Sequence, residues 1–193
     1  MKGADAVVTN SAETAGLVLQ LGAHASVVPP GIDLSRFRPT PRPNEHRVLY
    51  LGGDVPHKGV ALARRLADTL VGPGLDEISP DEVRSLIAAH DVVLVPSLAE
   101  PFGLVAAEAI ASGRWVVARA VGGLREVVTD GVNGFLANTD EELEEALDRI
   151  PAYDPEVVAA TASRFDVERY RSGLAAVWAD VLEARRRASR PPT

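Results

Sequence analysis

Residues 91–96, Asp-Val-Val-Leu-Val-Pro, form an apolar run of strand length with no polar alternation. A strand of this kind must be covered on both faces, which is the condition of a parallel sheet packed between helices. Two more runs, "RVLYL" (47–51) and "WVVAR" (115–119), share the character. The segments between them are too long for hairpins and carry apolar residues at helical spacing: "VALARRLADTL" (60–70), "PDEVRSLIAAH" (80–90) and the helix opening near residue 103. Strand alternating with helix predicts an α/β fold, a Rossmann-like doubly wound parallel sheet, with a short helix and strand over 121–137. An acidic helix in "TDEELEEALDRI" and two further helices at about 154–164 and 166–187 complete a single domain with C-terminal helices. Sheets of this class bind ligands at the carboxyl ends of their strands.

Before this unit, "DAVVT" (5–9) reads as a short strand, and Asn10 with Glu13 as a capping-box entry to a helix over 12–22. Prolines and turn residues between 29 and 46 predict a hinge or linker. At the other end, 183–193 reads as a flexible basic tail. The net charge of −7 argues against nucleic acid as a partner, so an anionic ligand would need local devices to hold it. The sequence has no cysteine, and no run approaches the ~18 apolar residues of a membrane span. We therefore expect a cytoplasmic protein, with peripheral membrane contact through the terminal arginines left open.

Three segments could carry chemistry. "SLAEPFGLVAAEAIASG" (97–113) connects an apolar strand to a helix, so the main-chain N–H groups of Phe102, Gly103 and Leu104 face the ligand end of the sheet. Glu108 has Leu104, Val105, Ala111 and Ser112 as its helical neighbours, and a carboxylate on such a face needs strong donors. A pair of adjacent ribose hydroxyls would supply them; so would an ion pair to Arg119 or Arg125, or simple exposure. Glu100, in the preceding loop, would be unremarkable alone. In "LGGDVPHKG" (51–59), Gly52, Gly53 and Lys58 could clamp a diphosphate or form a solvated turn. "VGGLREVVTDG" places Gly122 and Gly123 between strand and helix, either for close approach to a ligand or for tight packing, with Glu126 one turn on. His24, His46, His57 and His90 have no metal-ligand spacing, so no metal is expected.

Taken in order, "VVPPGIDLSRFRP", "YLGGDVPHKG", "DVVLVPSLAEPFGLVAAEAIASG" and "VVARAVGGLREVVTDGVNGFLA" resemble the carboxyl-terminal, donor-binding domain of the retaining GT-B glycosyltransferases of group 1. The E-x7-E stretch from Glu100 to Glu108 is the most specific element. The resemblance implies a hexosyltransferase using a UDP- or GDP-linked sugar, with retention and without metal or other cofactor. Glu108 would hold the ribose, Glu100 would orient the donor sugar, the amides at 102–104 would cradle the diphosphate, and Lys58 would neutralise it as it leaves. It further implies that 1–28 is the last strand-helix unit of an amino-terminal domain and 47–182 the nucleotide-sugar domain. The rest of the acceptor-binding half would then come from a separate polypeptide. The family's usual arginine is replaced here by Gly53, so restoring it should tighten diphosphate binding, and the region 59–90 is short by one strand-helix unit. These departures keep a second expectation open: a catalytically silent nucleotide-sugar-binding or partner-regulating module.

Overall fold

The computed structural model describes residues 3–189. The chain opens with a small parallel pair, β1 (Val8–Thr9) and β2 (Ser26–Val27), joined by helix α1 (Ala12–Gln20). The cap of α1 is Ser11, whose side chain accepts from the Thr14 amide, rather than the expected Asn10. The main unit runs β3 (Val48–Leu51), a 3₁₀ turn (Pro56–Lys58), α2 (Val60–Leu66), β4 (Thr69–Val71), α3 (Pro80–Ala89), β5 (Val92–Val95) and α4 (Leu104–Ala111). It continues through β6 (Trp115–Arg119), α5 (Leu124–Val127), β7 (Gly134–Ala137), α6 (Asp140–Leu147), α7 (Pro155–Ala160) and the long α8 (Val167–Ala188).

The five strands β3 to β7 form one all-parallel sheet in the order β4-β3-β5-β6-β7. One row crosses it from Thr69 through Leu49, Val93 and Val116 to Gly134, and the three central side chains are fully buried. Their β-branched and leucine side chains suit a sheet covered on both faces. The chain moves one way from β3 to β4 and the other way from β5 to β7. Right-handed crossovers therefore put the helices on opposite faces and open a crevice above the β3/β5 boundary.

Two sequence expectations are corrected. The helix expected over 60–70 stops at Leu66, because Ala67 turns extended and Asp68 docks beside β3, its amide donating to the Val48 carbonyl at 2.9 Å and its carboxylate accepting from the Val48 amide at 2.7 Å. Thr69–Val71 then becomes the edge strand, tied through its hydroxyl to His90 at 2.8 Å. The basic tail is helical as far as Ala188, with Arg185 paired to Asp5 and Arg187 to Glu183; residues 190–193 lie outside the described residues.

The Pro-rich linker is strapped down over most of its length. Ile32 and Phe37 are buried, and the Ile32 main chain bridges to Phe165 and Val167 at 2.6 and 3.0 Å. Arg114, completely buried, donates to the carbonyls of Thr40, Pro41, Ile87 and Ala88 at 3.0–3.2 Å. Arg42 pairs with buried Asp91 at 2.7 and 2.9 Å and lies over the Tyr153 ring at 4.3 Å. Among the described residues no helix is long and apolar enough to cross a membrane. Replacing Arg114 with Leu strands several buried carbonyls at once and should cost about 3 kcal/mol of stability, read as a lower urea midpoint with an unchanged slope.

Candidate functional site

The crevice at the β3/β5 boundary is built from two loops. The first, 52–59, follows β3, and the second, 96–103, follows β5. They are joined by an ion pair, Lys58 Nζ to Glu100 Oε2 at 2.6 Å, and by the Leu98 amide donating to the His57 carbonyl at 2.8 Å. Ser97 adds a hydroxyl 3.4 Å from the same Glu100 oxygen. Both charges of the pair are largely shielded from water, so their attraction is stronger than that of a surface pair.

The second loop ends at Gly103, whose φ of 102° suits a glycine, and a Cβ there would stand 2.6 Å from Leu124. Helix α4 begins with no side-chain cap, and its first main-chain bond runs from Ala107 to Gly103. Its leading N–H groups thus remain available at the crevice. Phe102 anchors this entry by packing its buried ring edge-on against Phe165, with centroids 5.3 Å apart. The Leu104 side chain is exposed, so the contribution of that residue to the crevice is its main chain.

Two clefts meet at the ion pair. One, of about 410 Å³, is lined by Gly52, Gly53 and Lys58 from the first loop, Val105 and Glu108 from α4, and Gly72, Pro73, Ile78, Pro80 and Val83 from the β4 side. These last five residues escaped the sequence reading; the Gly-Pro-Gly turn at 72–74 was the available signal. The other cleft, of about 560 Å³, is bounded by Leu98 to Pro101, Val121, Gly122 and Arg125, with Glu13 and Thr14 of α1 opposite. Lys58 lines the first and Glu100 the second, so their pair forms the partition.

Glu108 points into the first cleft, and among the described residues no ion pair forms to it. Arg119 is committed to Asp140 and to the Asn138 carbonyl at 3.0 Å, while Arg125 lines the other cleft. Burial pushes the Glu108 carboxyl up to about 7, opposed by the more distant Arg36 guanidinium. Arg36 itself is bonded to the Pro80 carbonyl and to Asp81, which ties the linker to the start of α3.

The glycines divide by role. Gly122 and Gly123 make room for the second loop: added Cβ atoms would stand 1.9 Å from the Glu100 carbonyl oxygen and 2.4 Å from the Phe102 Cα. Gly53 has φ 73°, and its Cβ would stand 2.8 Å from the Pro73 carbonyl oxygen. Arginine there is strained, which corrects the expectation that Gly53→Arg would simply tighten diphosphate binding. Glu126 faces neither cleft; its carboxylate accepts the Ala12 and Glu13 amides at 2.9–3.2 Å and caps α1. Among the described residues no cluster of three or more His, Cys, Asp or Glu could hold a metal ion.

Residues 74–156 match the family described as glycosyl transferases group 1. The D-inositol 3-phosphate glycosyltransferase of Geodermatophilus obscurus is 36% identical over 190 residues, covering 69% of this chain and 42% of that protein. That of Nocardia farcinica is 34% identical over 191 residues, covering 72% and 42%. The chain spans about two fifths of the length of these relatives. Among solved structures, Anabaena HepE in complex with UDP-glucose superposes with a TM-score of 0.80 at 24% identity, over 93% of this chain and 65% of that one. Sucrose-phosphate synthase from Thermosynechococcus elongatus gives 0.78 at 25% identity, over 95% and 60%. The α/β fold is that of the GT-B glycosyltransferases.

The raised Glu108 ionisation has a sign that can be measured. The unfolded carboxyl ionises near 4.5 and the folded one near 7, so between those values the folded state holds the extra proton and stability falls as pH rises. Glu108→Gln should flatten this window and be more stable than the parent at pH 8, measured by urea unfolding across pH.

Proposed function

The chain belongs to the glycosyl transferases group 1 family, and we propose that it is the donor-binding half of a retaining, metal-independent hexosyltransferase that takes a UDP- or GDP-linked sugar. The observation that carries this reading is the Lys58–Glu100 pair, which separates a mostly apolar cleft holding an unpaired Glu108 from a second cleft open toward α1. A nucleoside in the first cleft would give Glu108 two ribose hydroxyls, which supply the donors its helix face lacks. The diphosphate would then lie between Lys58 and the leading amides of α4, and the sugar would reach past the partition to Glu100.

Transfer in this arrangement is chiefly stabilisation of a leaving group. As the bond from the anomeric carbon to the phosphate oxygen breaks, negative charge grows on the diphosphate beside the Lys58 ammonium and the α4 amides, which are already oriented. Glu100, freed from Lys58 as the phosphate takes over that cation, would hold the sugar. The acceptor hydroxyl would attack from the face the diphosphate leaves, which retains configuration, and its proton would pass to the departing phosphate oxygen. A cytoplasmic setting belongs to this reading.

The acceptor half would come from an adjoining α/β body, either in the same polypeptide or in a separate chain. Its support is the two-stranded β1/β2 sheet, too short to stand alone, with Val8, Leu17 and Val27 exposed around it. The alternative of a silent nucleotide-sugar-binding module draws on Gly53, which leaves Lys58 as the basic residue lining the first cleft.

Calorimetry with UDP-, GDP- and ADP-sugars separates these outcomes. One nucleotide sugar should bind, and Glu108→Ala should weaken it about tenfold, the scale of a charge-assisted contact. Absence of heat with all three, or unchanged binding by the variant, would remove the donor-site assignment. The 193 residues alone should show no sugar transfer, and supplying the acceptor half should produce it; binding without transfer in the combined system would favour the silent module.

A further inference from the structure

The first loop rests on a phenol that the proposed chemistry leaves unused. Tyr50, the third residue of β3, is buried and packs with Val60 and Ala63 beneath residues 52–59. Its hydroxyl lies 3.0 Å from the Gly53 carbonyl oxygen and 3.4 Å from that of Lys58, so one proton serves both ends of the loop. The ring also fixes the residue that follows the strand: a Cβ on Gly52 would stand 2.3 Å from the phenol oxygen. Burial pushes the hydroxyl up to about 12, which keeps its proton in place at any ordinary pH.

A short loop with two glycines and a half-buried lysine has many conformations to choose from unless it is tied down. Holding Lys58 at one point beside Glu100 therefore needs an internal strut. From outside, the loop is held by the Asp54 amide on the Pro73 carbonyl, by the Leu98 amide on the His57 carbonyl and by Gly59, where a Cβ would stand 2.3 Å from the Pro96 carbonyl oxygen; Tyr50 is the side chain that ties its two ends to each other from beneath. We propose that Tyr50 is a positioning residue for the donor diphosphate: its hydroxyl gathers the Gly53 and Lys58 carbonyls and so sets where the Lys58 ammonium stands. This rests on the donor-site reading above and extends it to a residue that touches no ligand.

The test compares ligands that differ by one phosphate. With UDP against UMP, and GDP against GMP, the parent chain should prefer the diphosphate. Tyr50→Phe should weaken the diphosphate about fivefold, the scale of one hydrogen bond, and leave the monophosphate unchanged. In a Lys58→Ala background the same substitution should have little further effect, because the group it positions is gone. Gly52→Ala presses on the phenol from the other side and should give the same selective loss, which provides a second reading if Tyr50→Phe does not fold. Equal weakening of di- and monophosphate, or additive losses in the double variant, would overturn the positioning role while leaving the donor site standing. Absence of nucleotide binding by the parent chain would remove the donor site and this inference with it.

Discussion

The site depends on one topological constraint: β3 and β5 are neighbours in a parallel sheet, yet the chain leaves them in opposite directions. Loops that part in this way leave a crevice that no crossover helix can fill, so every polar group there must be satisfied by another loop or by a ligand. The Lys58–Glu100 pair satisfies two of these groups across the two loops. It closes the crevice at its middle and leaves a cleft on each side. In the donor-site reading proposed above, a diphosphate, carrying more charge than a carboxylate, would displace Glu100 from the lysine, and its binding would be coupled to release of the Glu100 side chain through the same cation.

Glu108 shows the opposite economy. It has no cation within bonding reach among the described residues, and burial raises its ionisation to about neutrality. The protein thus carries a largely buried carboxyl without an ion-pair partner among the described residues, on an otherwise apolar helix that includes Ala106, Ala107, Ala109 and Ile110, all buried. Such a group weakens the fold when it ionises, and a carboxyl perturbed by burial beside a cleft marks a candidate site. The neighbouring walls, Val105, Ile78, Pro80 and Val83, bring apolar surface of the kind that a nucleobase covers.

The central strands and the two carboxylates were legible in the sequence because each shows in a few adjacent residues: an apolar run after a helix, and a lone acid among alanines. What escaped depends on partners distant in sequence. Thr69–Val71 continues the helical pattern of α2, and only the docking of Asp68 on Val48 turns it into a strand. The linker looked like a hinge because its prolines are local, while its anchor, Arg114, lies more than seventy residues away, after α4. Gly122 and Gly123 were ambiguous for the same reason, since the backbone that requires them belongs to the Glu100 loop.

The same long-range logic gives Glu126 its meaning. Glu126, the third residue of α5 in a glycine-rich strand-to-helix connection, directs its carboxylate to the amino end of α1. That contact joins the β1/β2 unit to the sheet domain at a point beside the second cleft. The two chain crossings, at Ile32 and at Phe165 to Val167, are themselves hydrogen-bonded to each other and act as one strap. A body that extends the β1/β2 sheet would therefore pivot about this strap, with the Glu126 cap fixing its distance from Glu100. Glu13, whose amide donates to that cap, and Thr14, whose amide donates to the Ser11 hydroxyl, line the second cleft across from the Glu100 loop.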